Sequence, residues 1–259
     1  MRGIGLIGGK AVNLLLRWLS RNRGLDVPCS GAAYSGVSKV EAVFGPQIWA
    51  ELVGKTVTDF GCGEGHEAVD LAKHGVARVI GIDVREKALR NATVTAQNAG
   101  VGARCHFVTE TNERADAILS LDGFEHFDDP PRVLETMRRL LKDGGRAFIA
   151  FGPPWYHPYG GHLFSVFPWA HVLFSEKALL RWRADFKSDG ATRFREVEGG
   201  LNQMTIRRFQ KIVRDSDFET TSLELVPIKK LKFFHNRLSQ ELFTSIVRCR
   251  LVTKRKDWT

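Results

Sequence analysis

Short apolar runs alternate with amphipathic ones through the middle of the chain. Apolar and β-branched runs fall at 56–60, 78–83, 104–109, 117–121 and 146–151. Runs with apolar residues at helical spacing fall at 67–74, 87–99 and 132–141. The first kind predicts strands and the second predicts helices. Asp129-Pro130-Pro131 reads as a helix start and Asp143-Gly144-Gly145 as a helix stop. Strands that alternate with helices imply a parallel sheet with helices on both faces. After residue 151 the alternation breaks into a Pro-, Gly- and aromatic-rich run, 152–182. A helix is predicted over 203–214, a strand over 218–226, and a final segment, 241–252, that ends as a strand. The last two strands fit an antiparallel hairpin at the edge of the sheet.

Between the first strand and the first helix stands Asp59-Phe60-Gly61-Cys62-Gly63-Glu64-Gly65, and the second strand ends in Asp83. A strand, a glycine turn, a helix and a second strand ending in an acid form a nucleotide-binding βαβ unit. The glycines let the backbone turn tightly and approach a ligand, and the acid accepts hydrogen bonds from both ribose hydroxyls. The spacing is G-x-G-x-G, not the G-x-G-x-x-G of dinucleotide enzymes, and Asp59 and Glu64 flank it. Carboxylates there repel a pyrophosphate and suit a cationic ligand. A nicotinamide-dependent oxidoreductase is disfavoured on both counts.

This segment resembles motif I of the class I S-adenosylmethionine (SAM)-dependent methyltransferases, in particular the type 11 methyltransferase domains. SAM carries an ammonium and a sulfonium, and Asp83 matches that family's ribose-binding acid. The run 116–126, ending Leu121-Asp122-Gly123-Phe124-Glu125-His126, looks like the family's stretch ending in "LEH". The run 131–145 is similar to the helix and turn that follow it, with Asp143 in place of a usual proline. The resemblance covers about 56 to 151. It implies a Rossmann-like, seven-stranded, mostly parallel α/β sheet with helices on both faces. It also implies SAM as cofactor, held by Asp59, Gly61, Cys62, Gly63, Gly65, Asp83, Val84, Leu121 and Asp122. One departure concerns the adenine: the family often places Gly-Asp-Ala after the third strand, and 107–113 has no Asp in register, leaving Glu110 or Thr111 as substitutes. Pro153-Pro154-Trp155-Tyr156 looks like the Asn/Asp-Pro-Pro-aromatic string of amino-group methyltransferases. It follows the fifth strand rather than the fourth, so it is read as coincidence.

The domain reading is an N-terminal helical preface over 1–50 and a methyltransferase domain over 51–259, with 152–200 as a cap inserted after the fifth strand. The 259 residues suit one α/β domain with such an insertion. Cys29, Cys62, Cys105 and Cys249 are scattered and read as reduced thiols of a cytoplasmic protein. No carboxylate or cysteine joins the histidines at ligand spacing, so no metal is expected. The net charge of +9 permits attraction to nucleic acid, anionic lipid or acidic substrates. The basic residues are dispersed, and solvated helix faces are the simpler reading. The apolar run from Leu6 to Leu19 is too short to span a bilayer. Leu14, Leu15, Trp18 and Leu19 can share one helical face, for which a helix covering the cofactor site is preferred over an interfacial anchor or a frayed tail.

In open α/β sheets the ligand lies beyond the C-terminal ends of the parallel strands. Asp59, Asp83, Asp122 and the chain from Gly152 onward all emerge there. Methyl transfer requires alignment, exclusion of water and, for a hydroxyl acceptor, a base. His126, His157 and His162 are the candidate catalytic bases. Trp155, Tyr156 and Tyr159 are candidate substrate contacts, although the aromatics of this stretch serve equally as the core of the insertion. Gly160 and Gly161 allow close approach or a hinge. The preferred function is methyl transfer to a small-molecule acceptor, aromatic or lipid-like, at oxygen or carbon. The alternatives are an RNA methyltransferase, which would gather basic residues on the active-site face, and a non-catalytic SAM-binding or partner-binding protein. No obligate protein partner is inferred; nucleic acid and peripheral membrane contact stay open, with nucleic acid less favoured.

Overall fold

The computed structural model describes residues 7–20, 37–185, 187, 190–197 and 200–254. Cys29 and the middle of the preface lie outside these. Seven strands form one sheet in the order β3-β2-β1-β4-β5-β7-β6. They are β1 (Thr56–Phe60), β2 (Arg78–Ile82), β3 (Cys105–Val108), β4 (Ala115–Leu121), β5 (Leu141–Phe151), β6 (Phe218–Pro227) and β7 (Thr244–Thr253). β1 to β5 run parallel, and β7 lies antiparallel to both β5 and β6. The sheet is the mostly parallel, helix-covered one that the alternation predicts.

The helices are α1 (Lys10–Ser20), α2 (Lys39–Phe44), α3 (Ile48–Leu52), α4 (His66–Lys73), α5 (Glu86–Asn98), α6 (Pro130–Leu140), α7 (Ala170–Leu173), α8 (Glu176–Arg183), α9 (Ile206–Arg214) and α10 (Gln240–Phe243). The period of two along the strands sorts side chains onto opposite faces. In β5, Phe148 and Ala150 join a core with Val40, Ile48, Leu71 and Ala96 from α2 to α5, while Ala147, Ile149 and Phe151 join Leu134, Met137, Phe209 and Val213 from α6 and α9. Both layers are closed by buried apolar side chains, so the sheet is rigid beneath its loops.

Two local expectations change. The stop read at 143–145 is not where α6 ends; it ends at Leu140, and β5 starts at once at Leu141 because Leu141 pairs with Ala115 of a longer β4. Gly144, at φ +77°, takes the bend inside that strand. The second concerns α1. The expected face of Leu14, Leu15 and Trp18 is exposed; α1 packs through Val12 and Leu16 instead, into a third core with Phe174, Leu179 and Trp182, and Arg17 forks onto Asp185 at 2.6 Å through both Nε and Nη2. Residues 152–205, between β5 and α9, thus carry a core of their own, which α1 completes.

Candidate functional site

The site grows from the end of β1. The N–H groups of Gly61 and Cys62 both donate to the carbonyl of Ile82, at 2.8 and 3.0 Å, which folds the turn down onto β2. Gly61, Gly63 and Gly65 have φ of +84°, +51° and +78°, a region that L side chains avoid. At Gly65 a Cβ would stand 2.8 Å from the Cβ of Ala92 on α5, so the start of α4 packs there only as glycine.

Beneath the turn, Asp59 is 3% exposed, and its Oδ2 has no hydrogen-bond partner among the described residues. Burial first, and Glu67 next, hold its carboxyl well above the usual range, against the opposing pull of Lys39. Asp83, at the end of β2, accepts the Gly63 N–H at 2.9 Å and the Arg85 N–H at 2.9 Å. The Arg85 guanidinium forks onto both of its oxygens at 3.0 and 3.1 Å. Burial acts upward on Asp83, but Arg85 and these N–H groups outweigh it and hold it below the ordinary value. Val84 is 87% exposed beside it.

Lys39, the first residue of α2, closes the other side. Its Nζ lies 2.7 Å from Asp122 and 3.2 Å from Glu67. Burial acts downward on the ammonium, but the two carboxylates prevail and raise it. Four acids, Asp59, Glu67, Asp83 and Asp122, therefore converge where β1, β2 and β4 end. Between β1 and β4 the strand order reverses, which is where open α/β sheets take their ligands. A half-partnered buried carboxylate, a glycine cradle and a second acid at ribose position fit a cationic nucleoside such as SAM. Lys39 and Arg85 hold these acids, and sequence reading found neither. Arg85 follows Asp83 by two residues and could have been read from that turn. Lys39 stands well before the motif and gave no sign.

Beyond β4 comes a second cluster. Glu125 is 3% exposed, accepts the Gly152 N–H at 3.3 Å, and leaves Oε2 without a partner among the described residues. Burial, then the charge of Asp122, pushes it up to about 8. His126 donates from Nδ1 to the carbonyl of Gly200 at 2.7 Å, which leaves the lone pair on Nε2. Its ring centroid lies 5.4 Å from that of His162. His162, at φ +50°, buries an Nε2 that has no partner among the described residues. Burial, then His126, lowers it to about 3. His157 accepts the Tyr159 N–H on Nδ1 at 3.0 Å, and burial and then His171 lower it to about 4.

The aromatics sort themselves by burial. Trp155 is 2% exposed, wedged between His171 and Phe194, so it is core and not the substrate contact expected of it. Its carbonyl takes the Nε2–H of the buried His171 at 2.6 Å. Tyr156 is half-buried and Tyr159 is 44% exposed. Gly160 and Gly161 are not a hinge. A Cβ at either would stand 2.3 Å from Pro154 O or from His171 Cβ, so close packing explains both.

Glu125 makes a pH prediction. Folded, it keeps its proton up to about 8, whereas an ordinary glutamate loses it near 4.5. Between those values the folded state binds the extra proton, so this group's contribution to stability falls as pH rises. The slope approaches about 1.4 kcal/mol per pH unit. Glu125→Gln, neutral and of the same shape, should remove that slope. Denaturation midpoints of wild type and variant from pH 5 to pH 8 test it; parallel profiles would show that Glu125 is charged in the fold.

Residues 58–149 match a family model described as a methyltransferase domain. A ubiquinone biosynthesis O-methyltransferase of Pseudomonas paraeruginosa is 36% identical over 107 residues, covering 39% of this chain and 46% of that protein. One from Coxiella burnetii is 36% identical over 104 residues, covering 38% and 44%. The chain thus spans less than half the length of these curated relatives. Among solved structures, an S-adenosylmethionine-dependent methyltransferase from Mesorhizobium loti superposes with a TM-score of 0.54 at 16% identity, over 84% of this chain and 99% of that one. That likeness shows the fold. The glycine turn, the strand order and residues 58–149 thus carry a methyltransferase domain on a Rossmann-like sheet.

Proposed function

We propose that the protein transfers a methyl group from SAM to an oxygen of a small aromatic or lipid-like acceptor. The observation that carries this is the pairing of two groups on one sheet edge: the acid-lined glycine turn after β1, and His126, which follows β4 at the same edge beside His162. Bound SAM supplies a methyl group already activated by its sulfonium. Asp83 accepts the ribose hydroxyls when Arg85, which is 61% exposed, turns aside. Asp59 answers the positive charge of the ligand. His126, fixed by the Gly200 carbonyl, offers Nε2 to the proton of an acceptor hydroxyl. Tyr156, His157 and His162 stand on the segment that leaves β5 at this edge, and we place them against the acceptor, with 152–200 as its cap. Oxygen is preferred over carbon because the two curated relatives at 36% identity are O-methyltransferases by name.

The test is label from methyl-tritiated SAM, followed into a panel of phenols and catechols and into RNA. Label in a small phenolic product is expected. Label confined to RNA would overturn the proposal, and Lys229, Lys230 and Lys232 near this edge make that arm a fair one. His126→Asn should lower turnover by about 10²- to 10⁴-fold, the usual worth of a general base, with SAM affinity unchanged. Undiminished turnover would remove His126 from the role.

A further inference from the structure

The sheet register places one more segment at the ligand edge. Phe151, the last residue of β5, pairs with Val247, and Pro227, the last of β6, pairs with Thr244. The connection 228–243 between β6 and β7 therefore projects from the same edge as the glycine turn and Gly152. Its sequence is Ile-Lys-Lys-Leu-Lys-Phe-Phe-His-Asn-Arg-Leu-Ser-Gln-Glu-Leu-Phe. Lys229, Lys230, Lys232 and Arg237 are opposed within it only by Glu241. That carboxylate is already committed, accepting the N–H groups of Ile206 at 3.0 Å and Arg207 at 2.9 Å at the start of α9.

Among these cations, large apolar side chains point outward. Phe233 is 97% exposed, Leu238 is 92% and Phe234 is 59%. The backbone holding them is organised. Lys229–Phe234 forms a 3-10 helix, and the Ile228 N–H closes onto the Phe243 carbonyl at 2.8 Å. Asn236 Oδ1 accepts the Leu238 N–H at 2.9 Å and the Ser239 N–H at 3.2 Å. The ring of His235 reaches the Thr244 hydroxyl at 2.9 Å. Phe233 and Leu238 are thus held in water by a structured projection, although folding generally hides such side chains.

We infer that the 228–243 projection is a docking surface for an anionic lipid bilayer. Phe233, Phe234 and Leu238 enter the interfacial layer, and Lys229, Lys230, Lys232 and Arg237 meet the anionic headgroups. The charge pattern selects this occupant: exposed cations interleaved with exposed apolar side chains on one projection complement a negative headgroup layer over a hydrocarbon one. No helix among the described residues is long and apolar enough to cross a membrane, so this contact is peripheral. The inference stands whether or not the acceptor proposed above is correct. Where that acceptor is lipid-like, the projection brings the site's edge to the phase that holds it.

The test is flotation of the full chain with phosphatidylcholine vesicles, with and without phosphatidylglycerol. Binding is expected only where phosphatidylglycerol is present, and it should weaken as salt rises. Phe233→Ser combined with Leu238→Ser should cut the bound fraction more than tenfold, as should Lys229→Glu with Lys230→Glu. Denaturation curves and affinity for S-adenosylhomocysteine should be unchanged in both, since neither pair touches the core or the glycine turn. Wild type that does not bind the anionic vesicles would overturn the inference, as would an unchanged Phe233/Leu238 variant. So would RNA that displaces the wild type from vesicles and binds through the same four side chains.

Discussion

Asp83→Ala should bind SAM and S-adenosylhomocysteine about 30- to 1000-fold more weakly than wild type, a loss of about 2–4 kcal/mol from two hydrogen bonds to a charged acceptor. Asp83 stands at the end of β2, where its carboxylate already organises the glycine turn through the Gly63 N–H at 2.9 Å. The substitution removes the ribose acceptor and also frees that N–H, so both ligand and cradle lose a contact. Arg85 gives the prediction a second edge. Its fork onto Asp83 competes with the ribose, so Arg85→Ala should not weaken binding as Asp83→Ala does. Titration calorimetry with both ligands decides this. Equal affinity for wild type and Asp83→Ala, with the fold intact, would sink the assignment of the turn as the cofactor cradle.

Gly65→Ala should cost about 2–5 kcal/mol of folding stability, from about 1–2 for a left-handed backbone on an L residue and about 1–3 for overpacking. The residue holds φ +78° at the start of α4, and the added Cβ meets Ala92 Cβ at 2.8 Å, Ala92 Cα at 3.1 Å and Phe107 at 3.1 Å. Two of these atoms belong to α5, which is itself packed on the sheet, so neither can yield without moving a helix. Gly100→Ala is the control. Its φ of +72° is similar, but no described residue lies within 4 Å of the added Cβ, so only the backbone penalty of about 1–2 kcal/mol remains. Urea denaturation of the two variants separates strain from collision. Equal losses would mean that the packing of α4 against α5 gives way easily at this point.

The parallel core was legible because each of its strands is a short apolar run bounded by turn residues, and periodicity alone finds such runs. Asp59, the glycines and Asp83 were legible because their spacing is fixed by one βαβ unit. What escaped was whatever depends on contacts between distant positions. Lys39 reaches Asp122 and Glu67 from a helix that precedes the motif, and no local pattern announces such a pair. Glu125 stood in view beside His126, but its burial and its bond to Gly152 appear only once β4 and β5 are paired. Trp155 and Tyr159 read alike as aromatics of one loop. Folding sends one into a core and leaves the other 44% exposed, a sorting that composition cannot make. The end of α6 was misplaced because Gly144 and Gly145 look like a stop, whereas pairing with β4 draws the strand back through them to Leu141.

The third core has an implication for how this chain can change. Val12, Leu16, Trp155, Phe164, Phe174, Leu179, Trp182 and Phe194 share no member with the two cores that hold the sheet. Substitutions in packed groups that have no common partners act nearly independently. Volume can therefore be redistributed among α1, α8 and the run after β5 while the layers beneath the glycine turn stay as they are. A lineage can drift in the shape it presents beyond β5 and keep an unaltered nucleoside cradle, so the two halves of the molecule are free to evolve at different rates.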